Sequence, residues 1–251
     1  MLTNGGYSAP DWSFALPKTC KDALEMKVTL DTSMNEHMSS AEIAAMRRSY
    51  GEVGLDTIPA NPFELFSSWL AQAHANPAIV EANAMVLSTV DHLGEISSRT
   101  VLLKGITDNR FIFFTNYNSR KGQAIHSQPK VALLFPWFAM ERQVSITGLA
   151  EPISTAESEE YFASRPWGHQ IGTWASRQSE PLIHREELEE RWKAAAEKWP
   201  EGSSVPRPPH WGGYQVEPSS IEFWQGRYSR LHDRVRYARN EDEWEIARFY
   251  P

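Results

Sequence analysis

KVALLFPWF at 130–138 and RQVSITGLAEPI at 142–153 decide the fold. Each run is short, rich in β-branched and aromatic residues, and bounded by turn formers, which is how a strand reads in sequence. Working outward, AMVLSTV (84–90), RTVLLK (99–104) and RFIFFT (110–115) have the same character, and turn residues such as DHLG and TDN separate them. Five strands within 70 residues point to an antiparallel barrel or a sandwich.

Helical signals flank this block. Ser39 with Glu42 forms a capping-box pattern before AEIAAMRRSY. Asn61 and Pro62 open a second helix over FELFSSWLAQAHA, with Pro at the first helical position. Ser119 is placed to cap a short helix, SRKGQAIHS, between strands, and Ser154 with Glu157 makes a further capping box before TAESEEYFASRP. Pro166 ends that helix, and REELEERWKAAAEKW carries another. After PRPPHWGG the chain returns to strands at GYQVE, SIEFWQ, HDRVRYAR and EWEIARFY. Residues 1–38 show no sustained period and read as an extension of a composition suited to disorder. The expectation is one α+β domain, 39–251, with a mainly β core.

Composition sets limits. The chain has 251 residues and a formal charge of −7, so it does not suit nucleic acid or an anionic membrane as a whole, and any anion site must be local. Cys20 is the single cysteine, which excludes an internal disulfide and a thiolate zinc cluster. No apolar run approaches the roughly 20 residues of a membrane helix. The first 40 residues contain no Arg and no basic-then-apolar leader, so a cytoplasmic location is expected.

Against that acidic background, the basic clusters stand out. WQGRYSRLHDR (224–234) gathers Arg227, Arg230, His232 and Arg234, with Arg236 and Arg239 beyond. If 230–236 is extended, Arg230, His232, Arg234 and Arg236 share one face. Such a row repels itself unless an anion or carboxylates stand opposite, and Arg suits bidentate phosphate contact. A solvated edge strand that uses charge against aggregation has the same pattern. Arg120 and Lys121 follow Ser119 at a helix start, where free N–H groups favour an anion. Arg99 and Lys104 bracket TVLL, but fall on opposite faces of a regular strand. His126, His169, His184 and His210 lack metal-ligand spacing, and WGG at 211–213 is no dinucleotide fingerprint. The charges of REELEER read as a solvated helix face, with Trp192 and Trp199 packing on the core. A phosphorylated, planar ligand would satisfy the basic clusters, and spacing alone does not name it.

RTVLLK, FFTNYNSRKG, LLFPWFAMERQV, YFASRP, QIGTWASRQS, WGGY, IEFWQGRYSRLHDR and the final IARFYP, in this order, closely resemble the pyridoxine (pyridoxamine) 5′-phosphate oxidase family over roughly residues 40–251. The resemblance implies an FMN-binding Greek-key split β-barrel and a homodimer with two sites at its interface. It implies oxidation of pyridoxine or pyridoxamine 5′-phosphate to pyridoxal 5′-phosphate by oxygen, with hydrogen peroxide released. Arg99, Thr100, Val101, Leu102, Leu103 and Lys104 would line the FMN site, with Arg99 near the phosphate. Phe114, Thr115, Arg120 and Lys121 would continue it, and Gln143, Gln178, Ser179, Trp224 and Arg234 would complete it, some from the partner subunit. Lys104, Tyr161, Arg165 and, at a further phosphate-site position, His169 would meet the substrate phosphate. Arg230 and His232 would cover the substrate ring and assist proton removal at C4′ as hydride passes to the flavin. Arg47 to Tyr50 match a stretch that folds over the site. On this reading the Arg row faces two bound anions.

Three positions depart from the family's pattern. Phe114 stands where some members have Tyr, His169 where a small residue is common, and Ser49 where some carry an acid between Arg48 and Tyr50. Rival readings are an oxidase on the same barrel acting on another reduced ring, as phenazine-pathway relatives do, and a non-catalytic flavin or pyridoxal-phosphate binding module.

Overall fold

The computed structural model describes residues 38–46 and 48–251. The extension expected at 1–38 lies outside the described residues except for Met38, and so does Arg47. The chain divides into an N-terminal unit, Met1–Met46, and a larger one, Arg47–Pro251. In the first, helix α1 (Ser40–Ala45) starts at the expected capping box, with the Glu42 N–H donating to Ser39 Oγ and the Ser39 N–H to Glu42 Oε2. It ends at Ala45, well short of the run AEIAAMRRSY.

The larger unit opens with α2 (Pro62–Ala75), where Asn61 Oδ1 accepts from the Phe63 N–H at 3.0 Å and Pro62 takes the first turn. Strands β1 (Ala84–Val90), β2 (Ile96–Leu102), β3 (Gly105–Thr107) and β4 (Arg110–Asn116) follow. Asp108 and Asn109, both left-handed, close the β3–β4 hairpin, the geometry that matches strand twist. Helix α3 (Arg120–Ser127), β5 (Lys130–Trp137) and β6 (Arg142–Pro152) come next, then helices α4 (Thr155–Ser164), α5 (Trp167–Ala175) and α6 (Arg185–Lys198). The chain closes with β7 (Trp211–Gln225), β8 (Asp233–Asn240) and β9 (Glu243–Phe249). Every pairing is antiparallel, in the order β2-β1-β5-β6-β7-β4-β3, with β8 on β7 and β9 on β8. The non-sequential pairings β1–β5 and β4–β7 belong to a curled half-barrel with flanking helices, the split-barrel arrangement.

GYQVE and SIEFWQ are one strand, not two. β7 continues through Pro218 because the register against β6 slips there: Gly148 faces Pro218 and Thr147 faces Ser220, which leaves Ser219 as an extra residue. A bulge is where a sheet tolerates proline. The first half of β7 pairs with β4 and the second with β8, so this strand joins the two ends of the barrel.

Alternation along β5 sends Val131, Leu133, Phe135 and Trp137 inward. Phe66 of α2 seats among Phe111, Phe135 and Trp137 at ring distances of 5.1, 5.0 and 6.0 Å. Burial of such a ring contributes about 2–3 kcal/mol. A second core joins α4, α5 and α6 to the start of β7 through Phe162, Ile171, Ala195, Val205 and Trp211. Several tryptophans serve it: Trp167 Nε1 donates to Trp199 O and Trp174 Nε1 to Pro206 O. The outer face of α6 is solvated, as its Arg185–Glu189 pair indicates.

The WGG stretch has a packing role. A methyl at Gly212 would overlap the Tyr117 hydroxyl, and one at Gly213 would overlap Ile153 and approach Phe114. Tyr117 Oη donates to Gly213 O at 3.1 Å, so it is not free to withdraw. Gly212→Ala should destabilise the fold by about 2–3 kcal/mol, as overpacked cores do. Urea unfolding checks this, and an unchanged midpoint would show that Tyr117 moves aside without cost.

Candidate functional site

A cleft of about 880 Å³ opens between β2, the end of β4 and the α4–α5 corner. Arg99, Thr100, Val101 and Leu102 line it from β2, and Lys104 from the link to β3. Phe114, Thr115 and Asn116 come from β4, Lys121 from α3, and Gln178 and Trp211 close it. The helical side supplies Tyr161, Ser164, Arg165, Pro166, Gly168, His169, Gly172, Thr173 and Ser176. Four of these residues are cations, Arg99, Lys104, Lys121 and Arg165, and none is Asp or Glu.

The cations are held at a cost. Arg99 Nη1 donates to Leu87 O at 3.1 Å and to Thr89 Oγ1 at 2.8 Å, and Nη2 donates to Ser97 Oγ. That leaves Nε–H and one Nη2–H for a ligand. Lys121 Nζ donates to Gln178 Oε1 at 2.8 Å, and Thr115 Oγ1 reaches the same oxygen at 3.4 Å. Burial, and secondarily Arg99, pushes the Lys121 ammonium down to about 8. Burial also lowers Arg99 and Arg165. Cations desolvated without carboxylates call for an anion. Ser119, fully buried, caps α3 by accepting from the Gly122 N–H, so Arg120 and Lys121 do sit in a first helical turn.

One wall is aromatic. Phe114 stacks on Tyr161 at 3.8 Å and on Trp211 at 5.3 Å. The Arg165 guanidinium lies over Trp211 at 4.7 Å and donates to Thr173 Oγ1 at 2.7 Å. A flat, π-faced wall beside fixed cations accepts a planar, anionic guest.

A second group lies away from this cleft. Trp224 and His232 meet at 4.7 Å, and the Tyr50 ring stands edge-on to both, at 5.8 and 5.5 Å. Gln143 of β6 faces Trp224 in register. Trp211 and Trp224 occupy opposite ends of β7, roughly 40 Å apart along the strand at about 3.3 Å per residue.

The structure therefore divides the expected site residues. Twelve of them line the cleft: Arg99, Thr100, Val101, Leu102, Lys104, Phe114, Thr115, Lys121, Tyr161, Arg165, His169 and Gln178. Arg120 is exposed beside it, and Ser179, left-handed at φ 76°, borders a smaller hollow against α6. Leu103 turns into the core, at 5% exposure. Tyr50, Gln143, Trp224, Arg230, His232 and Arg234 do not line the cleft.

Two geometric expectations are overturned. Arg99 and Lys104 share the cleft, because β2 ends at Leu102 and the strand period lapses before Lys104. The single-faced row from Arg230 to Arg236 does not form, because Tyr228–Arg230 is a tight turn with Ser229 and Arg230 both left-handed, and β8 begins at Asp233. Of the row, Arg234 pairs with Glu222 at 2.9 Å and donates to Tyr250 O, while Arg236 covers Phe249. Sequence reasoning also missed α5 and the cleft residues Asn116, Ser164, Pro166, Gly168, Gly172, Thr173, Ser176 and Trp211. The stripe Trp167, Gln170, Ile171, Trp174 was the available signal for α5.

Fold and site together define a split-barrel protein with a cationic, aromatic-walled cleft. Residues 71–199 match the family model described as pyridoxamine 5′-phosphate oxidase, and 211–251 the pyridoxine 5′-phosphate oxidase C-terminal dimerisation region. A pyridoxine/pyridoxamine 5′-phosphate oxidase of Rubrobacter xylanophilus is 50% identical over 212 residues, covering 84% of this chain and 97% of that one. Its Streptomyces avermitilis namesake is 46% identical over 214 residues, covering 83% and 96%. Among solved structures, PhzG from Burkholderia lata, in complex with tetrahydrophenazine-1-carboxylic acid, superposes with TM-score 0.73 at 31% identity, over 79% of this chain and all of that one. The chain belongs to the pyridoxamine 5′-phosphate oxidase family. Among the described residues no helix is long and apolar enough to cross a membrane.

Proposed function

We propose that this protein is an FMN-dependent, cytoplasmic, homodimeric oxidase. It converts pyridoxine 5′-phosphate and pyridoxamine 5′-phosphate to pyridoxal 5′-phosphate, with oxygen as acceptor. Hydrogen peroxide is released, and ammonia from the amine. The observation that carries this reading is the cleft with four cations, no carboxylate and an aromatic wall in a chain of net charge −7. Two anionic planar molecules fit that chemistry, a flavin mononucleotide and a pyridine phosphate.

Arg99 and Lys121, with Arg120 beside them, hold the flavin phosphate. Thr100, Val101, Leu102, Lys104, Phe114 and Thr115 would line the flavin site with Gln178, while Leu103 faces the core and Ser179 borders the neighbouring hollow. Lys104, Tyr161, Arg165 and His169 take the substrate phosphate. The second group of the other protomer, Gln143, Trp224, Arg230, His232 and Arg234 with Tyr50 beside them, covers the opening. One protomer does not supply both parts, and the match of 211–251 to a dimerisation region supports a second copy. Bound FMN supplies the hydride acceptor and the route to oxygen. Phosphate contacts far from C4′ provide binding energy that aligns the ring. Arg230 and His232 would fix that ring and hydrogen-bond the C4′ oxygen or nitrogen, whose proton passes to solvent.

Lys121 makes flavin binding pH-dependent. Its ammonium loses a proton near 8 in the free protein, and a phosphate alongside holds that proton more tightly. Binding above that pH therefore takes up a proton. The dissociation constant for FMN should stay level up to about pH 7.5 and rise about tenfold by pH 9. Lys121→Met should flatten the profile, as read by flavin fluorescence titration.

The PhzG likeness motivates a second reading, oxidation of a reduced phenazine-type carboxylate. A substrate panel separates the two. Turnover of a dihydrophenazine carboxylate, and of neither vitamin phosphate, would replace the first reading.

A further inference from the structure

We propose that Asp233 is a positioning residue, which ties the segment Tyr50–Leu55 and the turn at Arg227 to the start of β8 and so holds His232 as a hydrogen-bond donor through Nε2. The inference rests on the oxidase reading for its effect on turnover, and on geometry alone for the state of the ring.

The Asp233 side chain is only 16% exposed and has three partners, Leu55 from far away in the chain, Arg227 from the preceding turn and Arg248 from β9. Oδ2 accepts from the Leu55 N–H at 2.9 Å and from Arg227 Nη1 at 3.3 Å. Oδ1 accepts from Arg248 Nη1 at 3.3 Å, and Arg248 Nη2 donates to Leu55 O at 2.8 Å. Both backbone groups of Leu55 are thus held by one carboxylate–guanidinium pair. Gly54 lies so close to Arg227 and Asp233 that an added Cβ would stand 3.0 and 3.1 Å from them. The same segment is fastened twice more, by Gly51 O to the Tyr228 N–H and by the Gly51 N–H to Glu141 Oε2. The adjacent Tyr50 therefore stands against His232 and Trp224 by construction.

Arg227 is held at both ends. Its guanidinium is on Asp233, and its backbone N–H donates to His232 Nδ1 at 3.0 Å. A ring nitrogen that accepts carries no proton, so the neutral ring bears its hydrogen on Nε2. Protonating Nδ1 would break the bond from Arg227, and burial together with nearby Arg230 already lowers His232. His232 then cannot serve as a base through Nδ1. It offers an N–H to the substrate, aimed by a turn that Asp233 fastens.

The test uses the FMN-loaded dimer with ¹⁵N-labelled histidine, the His232 signals being assigned with His232→Gln. The wild-type ring should show an unprotonated Nδ1 and a protonated Nε2, and Asp233→Asn should show mixed tautomers. In the same variant kcat should fall about tenfold, with KM changed less than about threefold and flavin content retained, because the phosphate anchors lie in the cleft. Arg227→Met keeps the backbone N–H and the Leu55 and Arg248 contacts, and should give a smaller loss of kcat with the tautomer kept. It decides the matter if Asp233→Asn does not fold. A wild-type ring protonated at Nδ1, or full kcat in every variant that folds, would overturn the proposal. A wild-type dimer that turns over neither substrate would sink the oxidase reading, and the ring nitrogens would still decide the positioning claim.

Discussion

Arg230→Leu lowers turnover by about two to three orders of magnitude, the usual range for loss of a group acting at the reacting centre, while the flavin stays bound. Arg230 is exposed and left-handed at φ 63°. No packing explains a bulky residue in that conformation, which is uncommon outside Gly, Asn and Asp. Its neighbour His232 is the ring fixed by Arg227. The cationic cleft does not include Arg230, so flavin content should change little. The measurement is kcat at saturating substrate, alongside flavin absorbance per chain. Unchanged turnover would remove Arg230 from the chemistry.

Arg99→Ala produces the complementary lesion. It removes a half-buried guanidinium that keeps two N–H groups for a ligand, and it strips Leu87 O, Thr89 and Ser97 of a donor. A charge-assisted hydrogen bond is worth about 1.5–3 kcal/mol, so FMN should bind about 10- to 100-fold more weakly. A fully flavinated variant after dialysis would count against the role. The two lesions together test the shared site. If Arg99 comes from one protomer and Arg230 from the other, subunit exchange between the dialysed, flavin-depleted Arg99→Ala dimer and the Arg230→Leu dimer creates hybrids with one site free of both lesions. Activity should return to roughly a quarter of wild type. Were both residues from one protomer, each hybrid site would carry one lesion and nothing would return.

The fold was largely legible because its signals are local. Capping boxes at Ser39 and Ser154, the Asn61-Pro62 start and the strands from 84 to 153 all rest on neighbours within a few residues. What escaped was non-local or locally contradictory. α5 was hidden because Gly168 and Gly172 depress helix propensity within its apolar stripe. Their lack of side chains opens the cleft: a Cβ at either would meet nothing within 4 Å. β7 was split at Pro218 because only the pairing with β6 reveals the bulge that admits it.

The site was legible as a set of cations and illegible as a shape. Strand alternation placed Arg230 with Arg234, and no glycine or asparagine warned of the two left-handed residues that break the run. Arg234 and Arg236 proved to have partners of their own in Glu222 and Phe249. Arg99 and Lys104 converge through a lapse of the strand at Leu103, whose side chain is drawn into the core. Trp211 takes its place from contacts with Phe114 and Arg165, which lie far away in sequence.

The most direct test is aerobic turnover by the purified, FMN-loaded protein. Pyridoxine 5′-phosphate, pyridoxamine 5′-phosphate and unphosphorylated pyridoxine are compared, with aldehyde and peroxide followed together. The account predicts aldehyde and peroxide in equal amounts from the two phosphorylated compounds and almost none from pyridoxine. Bound flavin with no aldehyde from either phosphate, or equal turnover of the unphosphorylated vitamin, would contradict it.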